Sequence, residues 1–345
     1  MRQFAAFLLI FIVVCAACEA KPRGGTPVPA GALTAGYTIN TFHAGSFSTG
    51  TVDQSLTYVD GFQWYYYNFF GQTSTPSLNT FNADGSITLA GGFASALATV
   101  GQTANATPYV GVAFGCGAYF TAELSFSNQI AIGGGSALAS VVPSFYSFSL
   151  EHLVYPAGSA SQAWTGQATG YDHFIEIDTL EWNRNQLDSP FSYGSEVHEY
   201  WGIQNAAPCN SSQWAGGYCW LSLTVSASAQ SVAKGTDNTV YHRFAKLWIP
   251  ATVSTPGSLT SYYDDIPFSS SQITYTQFTQ QAPPPGVPLE TVTAPWAFGI
   301  VDIQHQVPIL LAGIAAPNTV NPSGNSMTVR SVDVWQNSSA CNVTN

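Results

Sequence analysis

Along its hydrophobic and polar positions the chain is a succession of short strands. Runs rich in Val, Ile, Thr, Tyr and Phe are separated by Gly, Asn, Ser and Pro, the pattern of strands bounded by turns. The clearest are Gln63 to Phe69, Ser86 to Ala90, Tyr119 to Phe126, Phe145 to Leu150, Phe174 to Leu180, Tyr241 to Trp248 and Thr328 to Trp335. No long segment carries the periodicity of an amphipathic helix. Gly91 to Val100 is rich in small residues, but its flanking glycines favour strand or loop. Many strands with long loops and no helical crossovers predict an all-β fold. Two antiparallel sheets should pack as a sandwich of jelly-roll type.

The two ends of the chain read differently. Arg2 precedes an apolar run, Phe4 to Ala17, and small residues follow, the form of a secretory signal peptide too short to span a bilayer. Residues 1–20 are expected to be this leader, cleaved after Ala20. The rival is a lipoprotein leader, with Cys18 acylated after Cys15-Ala16-Ala17 and the chain lipid-anchored. Both readings export the protein. Residues 21–35 read as a Pro/Gly-rich tether, and 36–340 as a single β-sandwich domain. Gln281 to Pro288, with three consecutive prolines, reads as an exposed loop within that domain. No later segment is long and apolar enough to be a membrane span.

Charge narrows the partners. Without the leader, seven basic and 18 acidic residues remain, a net charge of 7 − 18 = −11. Such a surface repels nucleic acid and anionic membranes, and it lacks the Arg clusters that sulfated ligands need. Aromatics make up 14% of the chain, which suits neutral sugar faces as well as β-sandwich cores. Export leaves Cys116, Cys209, Cys219 and Cys341, enough for two disulfides with three possible connectivities. Cys209 and Cys219 flank a short Ser/Gly/Trp loop and are the expected local pair. Sequons at Asn105, Asn210, Asn337 and Asn342 matter only in a eukaryotic host.

The segment Glu176-Ile177-Asp178-Thr179-Leu180-Glu181 stands out in a chain with only 8% charged residues. In a strand, Glu176 and Asp178 share a face, while Glu181 has the wrong parity. A β-bulge at Thr179-Leu180 supplies the extra residue that turns Glu181 back beside them. Three like charges on one face cost stability, which argues for chemistry rather than folding. Four strand steps separate the Glu176 and Glu181 Cα atoms by about 13 Å. Side chains leaning inward then leave about 5 Å between carboxyls, the spacing of a retaining glycosidase. A solvated acidic strand and a carboxylate calcium site are the rival readings. The histidines show no zinc spacing, and neither a nucleophilic Ser turn nor a phosphate loop is present. No metal and no cofactor are expected.

The hexapeptide resembles the active-site signature of glycoside hydrolase family 16 in its bulged form, Glu-x-Asp-x-x-Glu. Other segments fall in the family's order. Asp84 to Leu89 resembles its early strand after an Asp-Gly turn, and Tyr119 to Leu124 its Tyr-Phe-Glu-Ala-Arg-type strand. Tyr241 to Pro250 is similar to its His-x-Tyr-x-x-x-Trp-x-Pro strand. Ser261 to Asp265 sits where the family has Tyr-x-Asp-Gly, and Val329 to Gln336 looks like the closing strand. There are departures. Ile175 replaces a Gly, and Val142 to Tyr146 replaces a Trp-Pro-x-x-Trp segment. Arg330 stands where many members place a calcium-ligating Asp.

The resemblance implies a concanavalin A-like jelly roll and a retaining mechanism, with Glu176 as nucleophile, Glu181 as general acid/base and Asp178 tuning the pair. Trp182, His198 and Trp201 are candidate sugar-contacting residues, although Trp182 has the opposite parity to Glu181. Trp248 is expected to anchor the core. The expected activity is that of a secreted, monomeric, endo-acting β-glycanase on a neutral polysaccharide, a β-1,3 or mixed-linkage glucan. The alternatives are a transglycosylase on the same fold and a non-catalytic carbohydrate-binding protein.

Overall fold

A computed structural model of the chain describes residues 27–69, 71–90, 92–102, 109–127, 143–154, 171–181, 192–205, 214–215, 218–224, 230–231, 237–277, 297–312 and 326–344. The expected leader, Trp182, Cys209 and the Pro283–Pro285 loop lie outside the described residues.

Among the described residues, two eight-stranded sheets carry the fold. Numbered along the chain, the first contains β1 (Ile39–Ala44), β3 (Asn79–Phe81), β4 (Ile87–Leu89), β8 (Ala118–Phe126), β16 (His242–Ile249), β17 (Gly257–Tyr263), β18 (Ile266–Tyr275) and β20 (Met327–Gln336). Its spatial order is β18-β17-β16-β8-β20-β4-β3, with β1 added on β20. The second sheet holds β2 (Tyr65–Tyr66), β5 (Leu97–Ala98), β9 (Ser144–Ser149), β10 (Tyr171–Glu181), β12 (Glu196–Ile203), β13 (Trp214–Ala215), β14 (Tyr218–Thr224) and β19 (Gln306–Leu311). Its order is β13-β14-β12-β10-β9-β19-β5-β2. Three short strands, β6 (Val100–Gln102), β7 (Tyr109–Ala113) and β21 (Val343–Thr344), form a small third sheet, and β11 (Ser192–Tyr193) pairs with β15 (Gln230–Ser231). The ladders of both large sheets are antiparallel, as the alternation predicts.

Strand alternation sorts the side chains into three layers. Phe120, Leu124, Phe244, Trp248 and Val332 of the first sheet meet Phe145, Ile175, Ile177, Leu180 and Val197 of the second in the core between the sheets. Trp248 is fully buried there, as expected. Tyr146, Phe148, Phe174 and Ile309 point to the other face of the second sheet, which carries the site. Tyr119, Leu247, Tyr262 and Trp335 form the outer layer of the first sheet.

In that outer layer the described part of the expected tether, residues 27–35, packs on the first sheet. Residues Ala30–Thr34 form a short helix, α1, whose Ala32 is buried against Tyr119, Tyr262 and Trp335. Gly31 is required by this contact, since a Cβ there would lie 2.7–2.9 Å from the rings of Tyr262 and Tyr119. At the other end, β21 pairs with β7 and a Cys116–Cys341 disulfide joins positions 225 residues apart, so packing continues past residue 340. Of the three connectivities open to four cysteines, only the one that leaves Cys209 to Cys219 is compatible with this bond. Among the described residues no helix is long and apolar enough to cross a membrane.

Candidate active site

β10 runs through the interior of the second sheet, flanked by β9 and β12. Glu176 lies opposite Phe148 on β9 and His198 on β12, and Asp178 lies opposite Tyr146. The β9 register then slips, because Leu180 pairs with Phe145 and Glu181 with Ser144, leaving Thr179 as an extra residue. This is the bulge expected from the parity of the three carboxylates. Its effect is visible in burial. Leu180 turns into the core at 0% exposure, while Glu181 returns to the face of Glu176 and Asp178.

Each carboxylate has its own surroundings. The Tyr200 hydroxyl donates to Glu176 Oε2 at 2.7 Å. Asp178 is fully buried, with His198 Nε2 at 2.8 Å from its Oδ2. The same His198 nitrogen lies 3.4 Å from Glu196 Oε2. Ser144 Oγ donates to Glu181 Oε1 only at 3.5 Å. Beneath the bulge, the buried Lys246 of the first sheet donates to the backbone oxygen of Asp178 at 3.2 Å, to Ser195 Oγ at 3.1 Å and to Ser261 Oγ at 3.0 Å.

Burial and mutual repulsion push all three acids upward. Glu176 is raised well above the usual carboxylate range, first by desolvation and then by Asp178, with His198 and the Tyr200 hydrogen bond opposing. Asp178 is raised by desolvation and by Glu196, against the Lys246 charge. Glu181 is pushed up to about 8 by desolvation and then by Asp178. Desolvation also pulls Lys246 down to about 8, with Asp178 and Glu196 acting in the opposite direction. Mutual repulsion couples the three carboxyls, so each favours a proton on its neighbours. The short Tyr200 bond favours charge on Glu176, while His198 opposes the rise on Glu176 and Glu181 alike. Among the described residues Glu181 has one hydrogen bond, and that a long one, so its ionised form is the less well supported. Unequal hydrogen bonding of two neighbouring carboxyls is a difference that acid/base and nucleophilic chemistry on a glycosidic bond can use.

Glu176, Asp178 and His198 also bring one ligand-type atom each within 4.8 Å of the others. Two carboxylates and an imidazole are a donor set that suits a divalent cation too. Phe148 and Tyr200, neighbours of Glu176, also line a cavity of about 550 Å³ together with Phe69, His152, Phe174, Gln204 and Tyr218. Phe174 is stacked on His152 at 3.6 Å and on Tyr200 at 4.8 Å between centroids. His152 is held by Asp172 at 2.8 Å.

Of the residues singled out in the sequence, Glu176, Asp178, Glu181 and His198 are brought together on one face. Trp201 is not. It pairs with His173, shares the parity of Val197 and Glu199, and is 6% exposed on the opposite side of β12. Its assignment to the sugar cleft is therefore corrected. Tyr200, Glu196, Tyr146, Ser144 and Lys246 are additional site residues. Glu196 and Tyr200 carried a legible signal, since each stands two positions from His198 and shares its face.

No family model and no curated protein matches the sequence. Similar solved structures include β-agarase A from Zobellia galactanivorans, with TM-score 0.41 and 13% identity over 82% of this chain and 83% of that one. The endo-1,3-β-glucanase of Streptomyces sioyaensis has TM-score 0.42 and 14% identity, covering 89% and 97%. The laminarinase catalytic domain of Thermotoga maritima has TM-score 0.37 and 11% identity, covering 77% and 84%. Scores and identities this low carry nothing about substrate or mechanism, which rest on the side chains described above.

Proposed function

We propose that the chain is an exported, endo-acting, retaining β-glycanase of neutral polysaccharides, with a β-1,3 or mixed-linkage glucan as substrate. The observation that carries this reading is the bulge at Thr179. It places Glu181 on the face of Glu176 and Asp178 and gives the two glutamates unequal surroundings. Glu176 attacks the anomeric carbon as Glu181 gives its proton to the departing glycosidic oxygen, so that the C–O bond breaks and a glycosyl ester forms on Glu176. Water then gives a proton to Glu181 and attacks the same carbon, and Glu176 leaves as carboxylate. Asp178, whose Oδ1 has no hydrogen-bond partner among the described residues, accepts from whichever glutamic acid holds the proton. The aromatic cavity beside Tyr200 suits apolar sugar faces, and the net charge of −11 disfavours sulfated chains.

The test is product analysis on laminarin, lichenan, xyloglucan, agarose, chitin and carrageenan, with the anomeric configuration followed by NMR. Glu176→Gln should abolish turnover. Glu181→Gln should keep activity on substrates with good leaving groups, and azide should rescue it with a retained-configuration product. Inverted product, wild-type rates in both variants, or faster cleavage of carrageenan than of laminarin or lichenan contradicts the proposal. A preference for sugar over water as acceptor makes the protein a transglycosylase instead.

A further inference from the structure

The acidic strand is held from beneath by a lysine of the opposite sheet. On β16, Phe244, Lys246 and Trp248 share one parity, and Phe244 and Trp248 belong to the core between the sheets. Lys246 stands between them at 0% exposure, opposite Ser261 on β17 and Phe120 on β8. An ammonium in such a place is costly unless its donors are met. Its three donors find Ser195 Oγ, Ser261 Oγ and the carbonyl of Asp178. That carbonyl belongs to the peptide leading into Thr179, the extra residue of the bulge. The ladder to β12 ends at Ile177–Val197, one residue earlier. Side chains therefore take up the Asp178 carbonyl, Ser195 Oγ at 3.1 Å and Lys246 at 3.2 Å.

We propose that Lys246 is a positioning residue of this site: by holding the Asp178 carbonyl from the opposite sheet, it fixes the bulge that sets Glu181 beside Glu176. The inference rests on the glycosidase reading for its kinetic consequence, but not for its structural one. Core packing alone asks only for bulk at position 246. A lysine there adds a second donor to the carbonyl that Ser195 Oγ already meets, and ties it to the opposite sheet, which a methionine of similar length does not do.

The experiment compares Lys246→Met and Ser261→Ala with wild type in kcat, KM and thermal melting, together with crystal structures of both variants. Lys246 approaches from the core side, away from substrate, so KM should stay within about twofold in Lys246→Met. A displaced general acid should lower kcat about 100-fold. Lys246→Met also withdraws a donor from three buried oxygens and a charge that favours ionised Asp178, so the melting temperature should fall. Ser261→Ala, which removes one partner of the ammonium, should lower kcat about tenfold with KM unchanged. Wild-type kcat in Lys246→Met overturns the proposal, as does an equal loss expressed only in KM. If Lys246→Met fails to fold, Ser261→Ala decides, and wild-type kcat there overturns it. If the wild-type protein cleaves none of the glycans, the glycosidase reading falls by itself. The crystal structures then decide the positioning role, which is sunk by an unchanged Asp178–Leu180 register and upheld by a shifted one.

Discussion

Replacing Glu181 with Gln should stabilise the protein at alkaline pH while disabling it. Folding moves this carboxyl from its ordinary 4.5 to about 8, first through desolvation and then through Asp178. A raised carboxyl pKa means that the folded chain prefers the neutral acid. The stability linked to that proton is fully present below about 4.5 and is lost as pH rises toward 8. At 1.36 kcal/mol per unit, a shift of that size is worth about 5 kcal/mol at most. Glu181 is partly exposed and has neighbours that share its proton, so about 2 kcal/mol is the realistic figure. Gln keeps the shape and the contact with Ser144 but never ionises, so the variant escapes this loss. Urea denaturation of both proteins at about pH 4 and about pH 9 measures the difference. The two should be nearly equal in acid, with the variant more stable by about 2 kcal/mol in base. A constant difference across the range, or a variant weaker in base, refutes the electrostatic account of the cluster.

Three further outcomes are expected. Tyr200→Phe removes the donor 2.7 Å from Glu176 that favours its ionised form, so the acid limb of kcat/KM should move up by about one pH unit; an unmoved limb separates Tyr200 from the nucleophile. Non-reducing peptide mapping should find Cys116 bonded to Cys341 and Cys209 to Cys219, and Cys341→Ser should lower stability by about 3–5 kcal/mol in urea unfolding; free thiols at either pair contradict this. EDTA dialysis should leave the initial rate on laminarin or lichenan unchanged, and a loss restored by calcium would make Glu176, Asp178 and His198 a metal site rather than a proton-sharing one.

The β-sandwich and the carboxylate cluster were legible because both rest on a local rule: side chains alternate along a strand. Parity alone placed Glu176 with Asp178, showed that Glu181 was out of step, and demanded the one-residue bulge seen at Thr179. The same rule, carried two residues either way from His198, points to Glu196 and Tyr200 and away from Trp201. The sugar-cleft assignment of Trp201 weighed its aromatic character over its parity. Residues 21–35 read as a tether because Pro and Gly dominate them, yet the small residues of α1 let it approach Tyr119 and Tyr262 closely.

What the sequence by itself determined is what alternation along one strand can carry: the all-β character, the bulge, the shared face of three acids. Only the tertiary structure decided which distant side chains meet them. Lys246 lies 68 residues from Asp178 in the chain, and Cys341 lies 225 from Cys116. Both meetings depend on how strands pair and how two sheets face one another. That register is set jointly by every ladder and core contact, so no short stretch of residues contains it.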